Sequence, residues 1–189
     1  MIGQSLFYKP NRMTSMKALQ GKNLTLRAME PGDIDTMYEW ENNPDTWKYS
    51  NTVSPFSRFH LEQYVINSHC DIYTDKQLRL MITDQEKNTV GCVDLFEFDP
   101  KNRRAGVGIL IAREFRKKGY ASETLDIVIH YAKIILNLKQ LYCNISENNK
   151  VSINLFKKKG FVKTGTKSNW RLIGHEWESE HFFQLIFES

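Results

Sequence analysis

The amino-acid sequence predicts an α/β protein in which helices cover a mixed sheet. The chain has 189 residues and is 41% hydrophobic and 12% aromatic, which is enough for a sizeable core. Strand patterns dominate its first half, and a helix–strand–helix succession followed by two strands completes it. No repeat, linker or low-complexity tract interrupts this order. We therefore expect a single domain over residues 21–189, preceded by an N-terminal extension over residues 1–20.

Apolar alternation predicts the strands, and apolar spacing of three to four residues predicts the helices. In chain order we expect a strand at 23–28, helices at 34–41 and 58–68, strands at 78–83, 89–98 and 104–111, a helix at 120–136, a strand at 140–145, a helix at 149–159, and strands at 161–173 and 181–187. Asp33 is expected to cap the first helix, and the second rests on the spacing of Phe59, Tyr64 and Val65. Gly160 should end the last helix, and Gly174 should form the final turn.

The composition excludes several classes of protein. The formal net charge is +4 and the lysines are spread along the chain, so no nucleic-acid module is indicated. No apolar run approaches the roughly 20 residues of a membrane span, and the N-terminus lacks the apolar block of a secretion signal. Cys70, Cys92 and Cys143 form no disulfide or zinc pattern, and the histidines have no metal spacing. We expect a cytoplasmic protein without a metal, membrane or nucleic-acid partner.

The stretch Ala105–Leu125 carries the clearest functional pattern. A β-branched run at Gly108–Ile111 predicts a buried strand, a basic connection follows, and a helix begins near Tyr120. The first N–H groups of a helix have no partner within it, and together with the positive end of the helix dipole they attract anions. Neither the phosphate-loop nor the dinucleotide-binding glycine pattern is present. The alternative is an ordinary strand–turn–helix with solvated lysines.

Two segments resemble the GNAT acetyltransferase superfamily. The segment Arg116-Lys117-Lys118-Gly119-Tyr120-Ala121 resembles the R/Q-x-x-G-x-G/A signature, which binds the pyrophosphate of acetyl-coenzyme A in that family. About 30 residues after Gly119, the segment from Asn149 to Phe161 resembles the family's N-x-x-S/A-x-x-L-[YF]-x-K-x-G-F helix. The resemblance covers residues 23–187, and it is closest to the branch of spermidine and ribosomal-protein N-terminal acetyltransferases.

This resemblance implies the GNAT acyl-coenzyme A N-acyltransferase fold, a mixed and mostly antiparallel seven-stranded sheet that is splayed in the middle and has about four helices. It also implies acetyl-coenzyme A as cosubstrate. The implied coenzyme-binding residues are Ile109, Leu110 and Ile111 on the splayed strand, Arg116, Lys117, Lys118, Gly119, Tyr120, Ala121 and Ser122 in the anion loop and helix start, and Asn149, Ser152, Asn154 and Phe156 on the later helix. For Asn149 the alternative is a helix cap.

Acetyl transfer to an amine needs a carboxylate that holds the substrate ammonium and accepts its proton, because free alkylamines have a pKa of about 10.4. Asp94 and Glu97 are the candidates, in a segment that resembles the V-E-L-x-E stretch of polyamine enzymes. Strict alternation turns residues three apart to opposite faces, so only one should reach the cleft unless a bulge intervenes. We prefer Glu97, nearer the end of the strand, with Asp94 in reserve and Glu41 as a weaker ammonium ligand.

The resemblance implies two further catalytic functions. A main-chain N–H on the strand around Leu110 is expected to stabilise negative charge on the thioester oxygen. Phe156 stands where many family members have a tyrosine that protonates the leaving thiolate. The proton must therefore come from another group or from water, or the protein binds the coenzyme without turnover.

The leading hypothesis is an N-acetyltransferase that transfers the acetyl group of acetyl-coenzyme A to a primary amine, such as an amine of the polyamine spermidine. The first alternative is acetylation of the N-terminal amine of a ribosomal or other protein. The second is a non-catalytic acyl-coenzyme A-binding module. The expected partners are a small-molecule or peptide amine and a second copy of the chain. We interpret the aromatic residues Trp170, Trp177, Phe182 and Phe183 as core or dimer contacts, and the alternative is that they line the acceptor pocket.

Overall fold

The computed structural model describes residues 17–47, 52–67 and 71–188, so most of the predicted extension and Cys70 lie outside the described residues. Within these ranges one sheet contains seven strands: β1 (Leu24–Arg27), β2 (Leu78–Asp84), β3 (Thr89–Asp99), β4 (Arg104–Ile111), β5 (Gln140–Ser146), β6 (Val162–Ile173) and β7 (Glu176–Ile186). The α-helices are α1 (Ile34–Glu41), α2 (Pro44–Trp47), α3 (Arg58–Asn67), α4 (Ile72–Asp75), α5 (Tyr120–Ile134) and α6 (Lys150–Lys158). None of the described helices has the length and apolar character of a membrane span.

The strand order is β1-β2-β3-β4-β5-β7-β6, and only β4 and β5 run parallel. These two strands pair only over Arg104–Gly106 and Gln140–Tyr142. Beyond this point β4 continues to Ile111 and β5 to Ser146 without pairing to each other. The fold is therefore the expected mixed, mostly antiparallel sheet that is splayed in the middle.

The two faces of the sheet have separate hydrophobic cores. On one face, α5 and α6 pack through residues such as Leu125, Val128 and Phe156 against the apolar side chains of the central strands. On the other face, α1 and α3 pack through Met37 and Leu61, among others, onto Met81 and Cys92 of β2 and β3. We call these the coenzyme face and the acceptor face, following the expected positions of the two substrates. The strand alternation assigns each side chain of the site to one of them.

The structure corrects several local expectations. Phe59 is 69% exposed, so it does not belong to the packed side of α3. The other two residues of the expected spacing, Tyr64 and Val65, do pack inward, together with Leu61. The last strand begins at Glu176, five residues before the predicted start, because the hairpin continues to the turn at Gly174. The short helices α2 and α4 were not predicted. Residues 18–20 already belong to the fold, since the N–H of Leu26 donates to the carbonyl of Leu19 at 2.8 Å.

Asp33 has a different role from the predicted cap of α1. Its carboxylate accepts two hydrogen bonds from the Arg27 guanidinium at 2.7 Å and one from the backbone N–H of Glu30 at 2.9 Å. Asp33 is 4% exposed, and its side chain makes no hydrogen bond to the N–H groups of α1. An ion pair between the partly exposed Arg27 at the end of β1 and the buried Asp33 before α1 therefore fixes the position of this helix.

The start of α5 is fixed to the other end of β1. Glu123 accepts hydrogen bonds from the backbone N–H groups of Asn23 (2.6 Å) and Leu24 (3.2 Å) and from the Asn23 side chain (2.9 Å). A Cβ added at Gly21 would lie 2.5 Å from the Glu123 carboxylate, so a larger residue there would displace this side chain. These contacts hold the N-terminus of α5 in place.

Replacing Asp33 by Asn should lower the free energy of unfolding at pH 7 by about 2 kcal/mol, because the Arg27 guanidinium loses its charged partner. Burial raises the pKa of Asp33, but the Arg27 and Glu30 donors outweigh it, and the net pKa lies below its usual value. This contribution is therefore complete above the pKa of the unfolded chain and is lost as the pH falls through the folded pKa.

Urea unfolding of wild type and D33N, at neutral pH and in acid, measures this effect. The matched control is Asp35→Asn on the same helix, because Asp35 forms an ion pair with Arg58 that is well exposed. We expect the control to change the free energy of unfolding by less than about 0.5 kcal/mol. A D33N effect that does not shrink in acid would contradict this account.

Candidate active site

Five successive backbone N–H groups, from Lys117 to Ala121, find no acceptor within the described residues. Gly119 is the N-cap of α5 with φ +82°, a left-handed conformation that favours glycine. A Cβ added at Gly119 would meet no atom within 4 Å, so the space in front of the helix is open. The N–H of Ser122, which the sequence analysis included, instead donates to the carbonyl of Gly119 at 3.0 Å. The loop has the form that an anion such as a diphosphate requires.

The anion loop is anchored to β4 by Arg116. Its Nε donates to the carbonyl oxygen of Ile111, the last residue of β4, at 2.9 Å. The guanidinium thus braces the loop against the end of β4. Lys118 packs its ammonium 5.2 Å from the centre of the Phe115 ring, which keeps its charge beside the loop.

The splay of β4 from β5 exposes peptide groups of β4. The N–H of Ala112 donates to Val90 of β3 at 3.0 Å, and in an antiparallel pair the direction of the N–H groups alternates from residue to residue. The N–H of Leu110 therefore points toward β3, whereas those of Ile109 and Ile111 point toward the gap. This corrects the expectation that centred the oxyanion donor on Leu110. The side chain of Leu110 instead belongs to the acceptor face.

A cleft of about 380 Å³ runs along this end of β4. Leu110, Ile111 and Arg116 line it on one side, and Trp40 and Asn43 line it on the side of α1. The cleft therefore connects the anion loop with the open part of β4, as an extended ligand would require.

The α6 residues divide into structural and accessible ones. The Asn149 side chain accepts a hydrogen bond from the N–H of Ser152 at 3.1 Å, so Asn149 is a helix cap, the alternative given above. Phe156 is 3% exposed and packs edge-on against Phe161, with the ring centres 5.0 Å apart. It is therefore a core residue and has no polar atom to offer a coenzyme. Asn154 is exposed on the same helix.

The acceptor face contains a group of charged side chains around Arg79. Its guanidinium donates to both carboxylate oxygens of Asp94, at 2.7 and 3.0 Å, and to Glu41 at 2.5 Å. Asp94 lies opposite Gly108 of β4 in the register. With two carboxylates around one guanidinium, the group has a net formal charge of −1.

Tyr64 borders this charged group, and its ring centre lies 5.8 Å from the Arg79 guanidinium carbon. Burial raises the pKa of Tyr64 to about 12, with the nearby carboxylates acting in the same direction and Arg79 against them. Its hydroxyl therefore stays protonated at neutral pH. Burial likewise raises the pKa of the Cys92 thiol to about 12, which makes this thiol an unreactive core group.

Glu97 lies at a bulge in β3. Its φ is +49°, and the pairing with β4 shifts register between Phe96 and Asp99. The bulge interrupts the alternation, and the Glu97 carboxylate accepts a hydrogen bond from the hydroxyl of Tyr142 on β5. Tyr142 contacts the ring of Phe96, which is on the face of Asp94. Asp94 and Glu97 therefore reach the same face, the exception that the alternation argument allowed for.

The sequence analysis missed two residues of this site, Arg79 and Tyr142. Arg79 had a usable signal, because it is the one charge within the apolar run Leu78–Ile82. Tyr142 had none, since its contact with Glu97 joins residues that are 45 positions apart. The described residues contain no cluster of three or more His, Cys, Asp or Glu side chains that would hold a metal ion.

Comparison with known proteins extends these observations. The family model described as acetyltransferase (GNAT) domain matches residues 23–162. A spermidine N(1)-acetyltransferase of Vibrio cholerae is 32% identical over 142 residues, which cover 75% of this chain and 80% of that protein. The crystal structure of spermidine N-acetyltransferase from Vibrio cholerae in complex with coenzyme A and spermine aligns with a TM-score of 0.81 at 28% identity, covering 88% of this chain and 96% of the other. A dodecameric structure of the Vibrio cholerae enzyme aligns with a TM-score of 0.74 at 27% identity, covering 88% and 95%.

Replacing Gly119 by Ala should weaken the binding of acetyl-coenzyme A by about tenfold or more, because a methyl group would enter the space in front of the free N–H groups. The matched control is Gly174→Ala in the β6–β7 turn, where φ is also positive (+63°) and a Cβ would also meet no atom within 4 Å. Both variants should lose about 1 kcal/mol of stability from the left-handed backbone. Calorimetric titration with acetyl-coenzyme A and urea unfolding measure the two effects. Equal coenzyme affinities of the two variants would contradict the loop assignment.

Proposed function

This chain belongs to the GNAT family of acetyl-coenzyme A-dependent N-acetyltransferases, and we propose that the amine it acetylates is a primary amine of a polyamine such as spermidine. The relatives named above act on spermidine. The observation that supports the same acceptor here is the position of Asp94. Asp94 lies on the acceptor face opposite Gly108 of β4. The next residue of β4 is Ile109, whose N–H points into the gap.

Residues on one side of the gap bind the coenzyme in this proposal, and residues of the acceptor face bind the amine. The thioester of acetyl-coenzyme A supplies the activated acetyl group. The free N–H groups from Lys117 to Ala121 hold the diphosphate, and Arg116 keeps their loop against β4. The N–H of Ile109 or Ile111 is available to the thioester oxygen, which gains negative charge as the amine attacks.

Asp94 is our choice for the carboxylate that receives the reacting amine. The Arg79 guanidinium donates one hydrogen bond to each oxygen of the Asp94 carboxylate. Each oxygen therefore keeps a further lone pair that can accept a hydrogen bond from an ammonium group. Gly108 leaves space beside Asp94, because a Cβ there would contact only the ring of Phe96, at 3.7 Å. Glu97 lies beyond Phe96, toward the closed end of the gap. This choice reverses the order of the sequence analysis, which placed Glu97 first.

The leaving thiolate takes its proton from water in this proposal. Phe156 is in the core, and thiols of ordinary pKa, about 8.5, are tolerable leaving groups without a dedicated acid.

We also propose that the enzyme acts without a metal and in the cytoplasm.

We further propose that the chain forms a homo-oligomer through the end of the β6–β7 hairpin. Trp170, Leu172 and Trp177 are each more than half exposed there. A cluster of large apolar side chains on a surface is typical of an interface. The dodecameric relative supports a multimer of this chain.

Replacing Asp94 by Asn should lower kcat/KM for spermidine by about a hundredfold, because the neutral amide neither attracts the ammonium nor accepts its proton. Thiol release from acetyl-coenzyme A, followed with a panel of polyamines, monoamines and peptides, measures this. The affinity for acetyl-coenzyme A should stay unchanged, and Glu62→Gln on the exposed side of α3 is the charge-matched control. Release only with peptides would favour N-terminal acetylation, and tight coenzyme binding without any release would favour a non-catalytic module.

Light scattering should give a mass that is a multiple of 22.2 kDa. Replacing Trp170 and Trp177 together by Ala should lower this mass, because the exposed apolar area at the hairpin is reduced. The control is Val151→Ala on α6, where an apolar side chain is 81% exposed away from the hairpin. A double variant with the mass of the wild type would place the interface elsewhere.

A further inference from the structure

We infer that Glu97, positioned by Tyr142, binds a second ammonium group of the acceptor and so selects polyamines over monoamines. This inference rests on the proposed function, because it assumes that the reacting amine lies at Asp94. Glu97 then recognises the ammonium group that does not react, and it takes no part in the attack on the thioester.

The bulge gives the first argument. Without it, Glu97 would face away from Asp94, since the two residues are three positions apart on one strand. The left-handed conformation of Glu97 is unfavourable for a side chain other than glycine. The contact with Tyr142 nevertheless holds the carboxylate on the acceptor face. Strained backbone conformations cluster at active sites and ligand-binding segments, and this one lies inside a strand beside the gap.

The electrostatic environment of Glu97 gives the second argument. Glu97 is exposed, and within the described residues it forms no ion pair with a lysine, arginine or histidine. Arg104, whose charge acts on the neighbouring Tyr142, instead pairs with Asp99 at 3.3 Å. Asp94, in contrast, shares Arg79 with Glu41. The Glu97 carboxylate is therefore available to form an ion pair with a cation that does not belong to the chain, such as an ammonium group of the acceptor.

Tyr142 serves as a donor that orients this carboxylate. It is 9% exposed, and its ring packs against Phe96 and Phe182 at centre-to-centre distances of 6.1 and 5.5 Å. Burial, together with the Glu97 carboxylate, raises the pKa of the Tyr142 hydroxyl, which keeps its proton at neutral pH. The hydroxyl occupies one oxygen of Glu97 and leaves the other for an ammonium group.

The spacing of the two carboxylates fits a polyamine. Three residues of a regular strand span about 10 Å, and the bulge brings Asp94 and Glu97 nearer to each other than that. A chain of nine single bonds, as between the terminal nitrogens of spermidine, spans roughly 11 Å when extended and can therefore reach both carboxylates. The partly exposed ring of Phe96 lies between the two carboxylates in the sequence and covers Gly106 of β4. An aromatic face there can contact the methylene groups and the inner ammonium of the acceptor.

The test compares two acceptors, spermidine and 1-butylamine, which has one ammonium and no second one. In Glu97→Gln we expect kcat/KM for spermidine to fall about tenfold, whereas that for 1-butylamine changes less than about twofold. The loss for spermidine should be mainly a rise in KM. Tyr142→Phe keeps the ring and removes only the hydroxyl. It should lower the ratio of kcat/KM for spermidine to that for 1-butylamine by about threefold, because Glu97 loses the donor that orients its carboxylate.

The matched control is Asp75→Asn. Asp75 is an exposed carboxylate that lines the other large cavity of the acceptor face, about 550 Å³ in volume. We expect this variant to keep the wild-type preference for spermidine. If Asp75→Asn removes the preference and Glu97→Gln does not, the second ammonium binds in that cavity and the inference is overturned. An equal fall for both acceptors in Glu97→Gln would also overturn it, since Glu97 would then act on the reacting amine.

Failure of the proposed function is a distinguishable result. In that case the wild-type protein itself would release no thiol with either amine. Failure of the inference, in contrast, would be seen only when the variants are compared with an active wild-type protein. Thermal unfolding of each variant shows that the protein is folded in each assay.

Discussion

The end of the β4–β5 pairing at Gly106 and Tyr142 is the constraint on which the whole site depends. A peptide N–H that is left unpaired away from water costs about 1–3 kcal/mol, so the open part of β4 needs water or a ligand. The N–H groups of Ile109 and Ile111 are oriented into this gap. The same divergence leads β4 directly to the anion loop, where the free N–H groups of Lys117–Ala121 continue the row of donors. In the proposed site, one interruption of a sheet thus supplies donors for the thioester and, through the adjoining loop, for the diphosphate of the coenzyme.

The sheet also separates charges of opposite sign. The donors, Arg116 and the lysines of the loop lie toward the coenzyme, and Asp94, Glu41 and Glu97 lie on the acceptor face. Acetyl-coenzyme A is a polyanion and the acceptor proposed above is a polycation, and a site that accepts both must keep their charged parts apart. In this proposal the two substrates meet at the gap between β4 and β5, so that the acetyl group and the reacting amine are the parts in contact.

Arg79 limits the negative charge of the acceptor face. Its guanidinium donates three hydrogen bonds to the carboxylates of Asp94 and Glu41, which leaves a net formal charge of −1 for the group. These hydrogen bonds hold the Asp94 carboxylate in one orientation, so an arriving ammonium group meets an acceptor that is already in position. Glu97 is oriented by the hydroxyl of Tyr142, a neutral donor that adds no positive charge beside it.

The sequence by itself determined the order of the strands and of the four longer helices, because alternation and helical spacing are local properties of the chain. It also determined the anion loop, because a left-handed glycine at the start of a helix is a local requirement that Gly119 meets. Only the tertiary structure decided the direction of the Leu110 N–H, the bulge at Glu97, and the partners of Asp33, Asp94 and Glu97. A bulge is a property of two paired strands, and the hydrogen bond from Tyr142 to Glu97 crosses 45 positions of the chain. Such contacts depend on which strands become neighbours, and no local pattern contains that information.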